Sequence, residues 1–301
     1  MTAELQRSEP GTRGFRRIAR TQMAKALDAL ETGKLTDQRV HRARKELKKA
    51  RALLRLLRDA LGDAAYGREN RTLRDAARPL SRLRDGKVLL DTLDTLEERF
   101  GAPARAVPTE KLRKALLRER VTGRREVLKG SSGLKEQRAS LRRAYERAGR
   151  WPVGNHGWSM VGAGFERIYS KGRKALGAAE VDRTPSNLHE WRKQVKYLWH
   201  QLQALQPLWP GPIGELADQA HTLADYLGDD HDLSVLRAKV LDHKEALPNP
   251  GSRGALLALI DRLRTELRDK AMVLGRRLYQ EKPAVFEARF AQYWSDWQRR
   301  R

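Results

Sequence analysis

Two short stretches of the sequence carry cations at a spacing suited to gripping a chain of anions. The first holds His41, Arg44, Lys45 and Lys48, with Arg55 two turns further on; the second holds His189, Arg192, Lys193 and Lys196, followed by His200. Intervals of three, four and seven residues place such side chains on one face of a helix. On a wheel of about 100° per residue, Ala43, Leu47, Ala50, Leu54, Leu57 and Leu61 fall on the far side of the first stretch. Trp191, Val195, Leu198, Leu202 and Leu205 do the same in the second. Each stretch therefore predicts an amphipathic helix with its apolar edge in the core. A solvated face usually interleaves acids with its bases, since like charges at i,i+4 repel. These faces are almost purely cationic, and each runs for about 20 Å at 1.5 Å per residue. That shape suits an extended polyanion, with guanidinium groups gripping oxygens in pairs and ammonium groups acting as mobile point charges. A histidine on such a face is expected to charge as pH falls from about 8 to about 6, and to strengthen anion binding as it does.

A third pair of motifs lies downstream. Leu-Ser-Arg-Leu-Arg-Asp begins at Leu80, and Leu-Gly-Asp-Asp-His-Asp-Leu begins at Leu227. Arg84 corresponds to His231 and Asp85 to Asp232, so Arg84 and His231 join the candidate binding set. The acids Asp229, Asp230 and Asp232 lack the spacing of a calcium loop and are expected to make structural hydrogen bonds or ion pairs between helices. Metal ligation is the rival role for His41, His189 and His231. The chain has no cysteine, and no carboxylate–histidine cluster shares one helix, so no metal site is expected. Nor does the sequence offer a nucleophile beside a base, or paired carboxylates; neither an enzyme nor a cofactor is expected. Residues 111–150 hold fourteen Lys or Arg against four Glu, which fits a wider basic surface and a solvated connecting helix pair equally well.

The elements that position these residues are helical. Ala, Leu, Arg, Lys and Glu dominate, and no alternating β-branched run argues for a strand. Breaks at Gly33, Gly62, Gly101 to Pro103, Pro108, 130–133, 149–154, 207–214 and 248–251 divide the chain. They predict helices over about 12–32, 37–61, 64–99, 109–129, 135–148, 156–178, 185–206, 213–246, 251–280 and 284–299. Thr36 and Thr184 stand where N-caps belong, and Pro185 suits a first helical position. The chain also repeats. Phe15, Arg17 and Ile18 recur as Phe165, Arg167 and Ile168; the His41 block recurs as the His189 block; Ala77, Leu80, Asp85, Val88 and Leu89 recur as Ala224, Leu227, Asp232, Val235 and Leu236. The order is kept while the offset drifts only from 150 to 147. Two homologous halves are expected, about 11–149 and 155–300, within one domain over 11–300 and behind a disordered segment 1–10.

Composition narrows the partner. Lys and Arg outnumber Asp and Glu by 62 to 38, a formal charge of +24 over 301 residues. Such a surface calls for a polyanion. The candidates are nucleic acid, an anionic membrane surface and inorganic polyphosphate; phosphate contacts would serve nucleic acid, but aromatics are only 6%, and no base-reading helix or RNA-binding signature is present. No apolar stretch is long enough to span a bilayer, and no secretory signal opens the chain, so a cytoplasmic protein without membrane contact is expected.

Val-His-Arg-Ala-Arg-Lys-Glu-Leu-Lys-Lys with Leu-Ser-Arg-Leu-Arg-Asp resembles the first half of the CHAD family, the histidine-containing α-helical domain. Leu-His-Glu-Trp-Arg-Lys-Gln-Val-Lys-Tyr with Leu-Gly-Asp-Asp-His-Asp-Leu resembles its second half. The likeness covers roughly residues 11–300. It implies an all-α fold of two pseudo-two-fold related four-helix bundles around a basic central groove or pore. It also implies polyphosphate as ligand and targeting to polyphosphate granules. The family's basic positions fall on His41, Arg44, Lys45, Lys48, His189, Arg192, Lys193 and Lys196, with Arg17, Arg167 and Arg173 as further carry-overs from the preceding helices. Tyr197 and Trp199 stand where the family often has more bases, and the Glu-x-Glu-x-Lys strand motif of the catalytic domain fused to some members does not occur here.

Overall fold

The computed structural model describes residues 4–31, 35–129, 134–154 and 157–299, apart from the side chains of Asp85 and Lys129. Eleven α-helices are found among these residues. They are α1 (Gly11–Glu31), α2 (Asp37–Leu56), α3 (Arg58–Phe100), α4 (Ala102–Arg105), α5 (Glu110–Lys129), α6 (Lys135–Ala148), α7 (Gly162–Val181), α8 (Pro185–Leu205), α9 (Pro210–Asp242), α10 (Pro250–Leu278) and α11 (Pro283–Arg299). Three short 3₁₀ turns join them, and no strand occurs among the described residues. The fold is all-α, as the composition predicted.

Most breaks fall where Gly and Pro placed them. Gly62 has φ 75° and ψ 158° and bends α3 near its start; the left-handed region favours glycine there. The helix expected over 156–178 is instead a 3₁₀ turn at Gly157–Met160 followed by α7. The breaks expected at Gly33 and over 130–133, the start of that helix at 156, and the Asp85 side chain lie outside the described residues. Residues 4–10 of the segment expected to be disordered lie against α1, and residues 1–3 lie outside the described residues. Leu5 and Glu9 are buried, and Arg17 on α1 pairs with Glu9 and donates to the Glu4 carbonyl at 2.6 Å.

Two apolar clusters hold the helices. The larger joins Phe15, Met23, Leu47, Leu54, Phe165, Tyr169, Trp191, Leu198 and Phe290, from α1, α2, α7, α8 and α11. The smaller joins Leu93, Leu116, Leu236 and Ile260, from α3, α5, α9 and α10. The long helices α3 and α9 run through both. The cores thus divide along the length of these two helices, not between the first and second halves of the chain, and α2 packs directly on α8. That contact is close: Gln201 donates to the Ala52 carbonyl at 3.2 Å. The arginines of 111–150 mostly serve as ties: Arg113 pairs with Asp94 and Glu97, Arg120 and Arg124 with Asp37, and Arg147 with the buried Glu69.

Candidate functional site

α2 and α8 begin alike. Thr36 Oγ1 accepts from the Arg39 amide at 3.3 Å, and Thr184 Oγ1 from the Asn187 amide at 3.2 Å, so each N-cap satisfies an otherwise orphaned donor. The apolar stripes predicted for both helices are buried throughout, from Ala43 to Leu61 and from Trp191 to Leu205. Burial of those stripes turns the opposite edges of the two helices toward a common cleft. It holds ≈ 240 Å³ and takes His41, Arg44, Lys45 and Lys48 from α2, and Arg192, Lys196, Trp199 and His200 from α8. α3 adds Arg84, and α9 closes the far side with His221, Asp225, Gly228, Asp229 and Asp232. Gly228 matters to the shape: a Cβ there would stand 3.3 Å from Arg192 Nη2, so the bare backbone lets the guanidinium lie across α9.

Six Lys and Arg therefore face three Asp in one small space. Arg44 donates to Ser81 Oγ on α3, and Arg192 Nε is buried without a hydrogen-bond partner. Burial pushes the Lys48 ammonium down to about 6, reinforced by Lys196, Arg44, Arg192 and Arg84. Lys196 is pushed to about 8, again by burial and then by Arg192, while Asp225 and Asp232 pull the other way. Burial also lowers Arg192, with Asp232 and Asp229 opposing. Across the cleft, Asp229 is raised to about 6 by burial of its inner side and by Asp225 and Asp232. Losing contact with water penalises any charge, and like neighbours add to that penalty.

The histidines behave differently from the expectation of ordinary titration near neutral pH. His41, His189 and His231 are all lowered, first by burial and then by neighbouring cations. His200 is pushed to about 3 and its ring meets Gln203 Oε1 at 3.2 Å. It is a neutral wall of the cleft, stacked on Trp199 with ring centroids 4.4 Å apart. Three other cleft groups are moved toward the neutral range: Lys48 to about 6, Lys196 to about 8 and Asp229 to about 6.

Eight of the fifteen predicted residues line this cleft: His41, Arg44, Lys45, Lys48, Arg84, Arg192, Lys196 and His200. His189 and His231 adjoin one another, with ring centroids 5.0 Å apart, beside Arg192 but outside the lining. Arg55, Arg167 and Lys193 gather in a different cleft bordered by α7. Arg17 anchors the N-terminal segment, and Arg173 is exposed on α7. The sequence reading missed Asp225, Asp229, Asp232 and His221 as cleft residues. Their spacing of three and four along one helix was the available signal. For Asp230 the structural reading holds: its buried carboxylate accepts from Arg264 at 3.1 Å and Arg268 at 2.8 Å.

Among the described residues no group of three His, Asp or Glu is arranged to hold a metal ion, and no helix is long and apolar enough to cross a membrane. A search of curated proteins finds no match. A family model does match: that of the CHAD domain, over residues 17–241, from early in α1 to the end of α9. The matched span contains α2, α3, α8 and α9, the four helices that build the cleft, and with that agreement the chain belongs to the CHAD family.

Proposed function

We propose that the protein binds inorganic polyphosphate in the cleft between α2, α3, α8 and α9, as a receptor and not as an enzyme. The observation that carries this reading is the placement of Lys48. Folding buries its ammonium among four other cations, so strongly that its pKa falls to about 6. Elsewhere in this fold bases gather on a buried carboxylate: Arg264 and Arg268 share Asp230, and Arg68 and Arg147 share Glu69. Lys48, Lys196 and Arg84 form no ion pair among the described residues, so an incoming anion would supply the counter-charge they lack. A condensed phosphate chain brings one charge for each cation without a fresh association cost for each. Family membership supports the same ligand, since CHAD domains are associated with polyphosphate.

Binding without turnover is part of the proposal. Phosphate release from polyphosphate is the direct test of that clause. The cations face one another across a cleft of ≈ 240 Å³ and not over an open surface, so duplex DNA is expected to compete weakly. In the cytoplasm such a receptor would collect on polyphosphate granules. A fluorescent fusion should form foci only in cells that make the polymer, and a fusion carrying Arg44→Ala, Lys48→Ala and Arg192→Ala should stay diffuse. The decisive measurement is calorimetric titration with polyphosphates of increasing length at fixed salt. Affinity should climb with length and fall steeply with salt. Equal affinity for orthophosphate and a long chain, or no loss in that triple variant while its helicity stays native, would refute the assignment.

A further inference from the structure

Three of the predicted bases are absent from the central cleft because they line another. Arg55, Arg167 and Lys193 meet Arg58, Lys171 and Lys174 around a groove of ≈ 440 Å³ between the end of α2, the start of α3, α7 and α8. It shares no lining residue with the central cleft. On α8 the central cleft takes Arg192, Lys196 and His200, whereas the groove takes Glu190, Lys193 and Tyr197. At about 100° per residue those two sets point roughly a third of a turn apart.

The groove has the features of an anion site. Six Lys and Arg line it against one carboxylate, Glu190, which Lys193 engages. Asp59 holds one side of Arg167, at 2.7 and 2.9 Å, and leaves Arg167 Nη1 buried without a hydrogen-bond partner. The Arg55 guanidinium carbon lies 4.0 Å over the Tyr197 ring, and that of Arg58 5.1 Å over Tyr66. Arg55 also donates through Nη1 to the Arg51 carbonyl at 3.0 Å, and Arg58 donates to Asp63 at 2.9 and 3.2 Å, so the open charge of the groove rests mainly on Lys171, Lys174 and Arg167 Nη1. Lys171 and Lys174 are exposed and form no ion pair among the described residues. From Arg167 to Lys174 the α7 face runs about 10 Å, long enough for several linked phosphates. At the offset of 150 that relates Arg167 to Arg17, Lys171 and Lys174 become Thr21 and Ala24, which line a groove of ≈ 410 Å³ whose bases are instead Arg13, Arg16, Arg17 and Arg20.

We propose that this groove is a second site for condensed phosphate, separate from the central cleft, and that the protein thereby holds two chains at once and cross-links polyphosphate. The inference rests on the ligand assigned to the central cleft. A binder with one site decorates a chain; a binder with two joins chains into a network.

The test uses the full chain, tripolyphosphate as a probe too short to reach both sites, and long-chain polyphosphate. The wild type should bind two tripolyphosphates. The variant Lys171→Ala with Lys174→Ala should bind one, with the affinity of the remaining site unchanged. With long chains the wild type should give light scattering that peaks at an intermediate protein-to-phosphate ratio and collapses in excess of either. The double variant should lose at least tenfold of that scattering. A variant losing the same charge on the outer face of α5, Lys114→Ala with Arg118→Ala, should keep it. One tripolyphosphate per wild-type molecule, abolished by Arg192→Ala and indifferent to Lys171 and Lys174, would overturn the second site and leave the central assignment standing. Equal loss of scattering in the α5 control would reduce cross-linking to bulk charge and overturn it too. No tripolyphosphate or long-chain binding by the wild type would instead overturn the central assignment itself.

Discussion

Titrating polyphosphate into this protein at pH 8 should draw protons out of the buffer. In the free protein Lys48 sits near 6 and Lys196 near 8. At pH 8 about 99% of the first and about half of the second are therefore neutral. A phosphate chain in the cleft supplies the counter-charge that both lack and returns them toward their ordinary 10.5. Binding should then take up about 1.5 protons per protein at pH 8 from these two groups. The number is read from the slope of apparent binding enthalpy against buffer ionisation enthalpy, in buffers free of phosphate. Lys48→Met should lower the uptake by about one proton and weaken binding. It should also stabilise the free protein, and the sign can be worked through. The folded pKa of Lys48 lies below its unfolded value, so its contribution is unfavourable. That penalty is complete below pH 6, where both states carry the proton. It shrinks as pH rises from 6 toward 10.5, because the folded lysine has lost its proton while the unfolded one keeps it, so unfolding must take up a proton. Between pH 6 and pH 8 the relief amounts to about 2 kcal/mol, seen as a rise in Tm that Lys48→Met removes. Zero uptake at pH 8, or proton release, would show that the cleft lysines are charged before the ligand arrives and would refute the reasoning.

Three further outcomes follow from particular contacts. Asp229→Asn removes a negative charge that is present above about pH 6; it should tighten polyphosphate binding roughly threefold at pH 8 and change little at pH 5, where the carboxyl is already protonated. Asp230→Asn strands two arginines of which one, Arg264, is buried. Chemical denaturation should show a loss of about 3 kcal/mol, with polyphosphate affinity within twofold of wild type once folded. Gly164→Ala would put a Cβ 2.1 Å from the Leu56 carbonyl oxygen. Because that neighbour is backbone of α2, the helices must separate, and thermal melts should report a loss of roughly 1–3 kcal/mol or more.

How much of this was legible in the sequence depends on which coordinate of a helix an argument uses. The caps at Thr36 and Thr184 and the two apolar stripes are local and periodic, and the fold follows them. The helical wheel, however, discards position along the axis. Arg55 shares the azimuth of His41 but lies about 21 Å further along α2, where α7 replaces α9 as the neighbour. Lys193 lies at the edge of its face about 100° from Arg192, and that edge turns to α7. Its repeat partner Lys45 stays in the cleft. The matching motifs therefore do not contribute equally, although their sequences align residue for residue. The acids of α9 were missed for a related reason: their block was read for what it repeats from Leu80, while Asp225 and Asp229 matter through the face they share with Asp232.

Those acids also explain why the two matched lysines differ. Lys48 and Lys196 occupy equivalent positions in the repeat, are similarly buried, and both face Arg192 and Arg84. Only Lys196 also has Asp225 and Asp232 among its main influences, and it stays near 8 while Lys48 falls to near 6. At neutral pH the α8 wall is therefore charged before any ligand arrives, and the α2 wall at Lys48 is not. On the proposed binding, an entering chain would meet Lys45, Arg44, Arg192 and the charged Lys196. Its own charge then makes protonation of Lys48 favourable, since each phosphate oxygen opposes the repulsion that held the proton off. Placing carboxylates across the cleft, instead of in ion pairs with the cations, keeps part of the wall charged in the resting protein without filling the space the chain must enter. It also ties binding to proton concentration: as pH falls from 8 to 6, Lys196, Lys48 and Asp229 each gain a proton more readily, and every one of those protonations makes the cleft more positive.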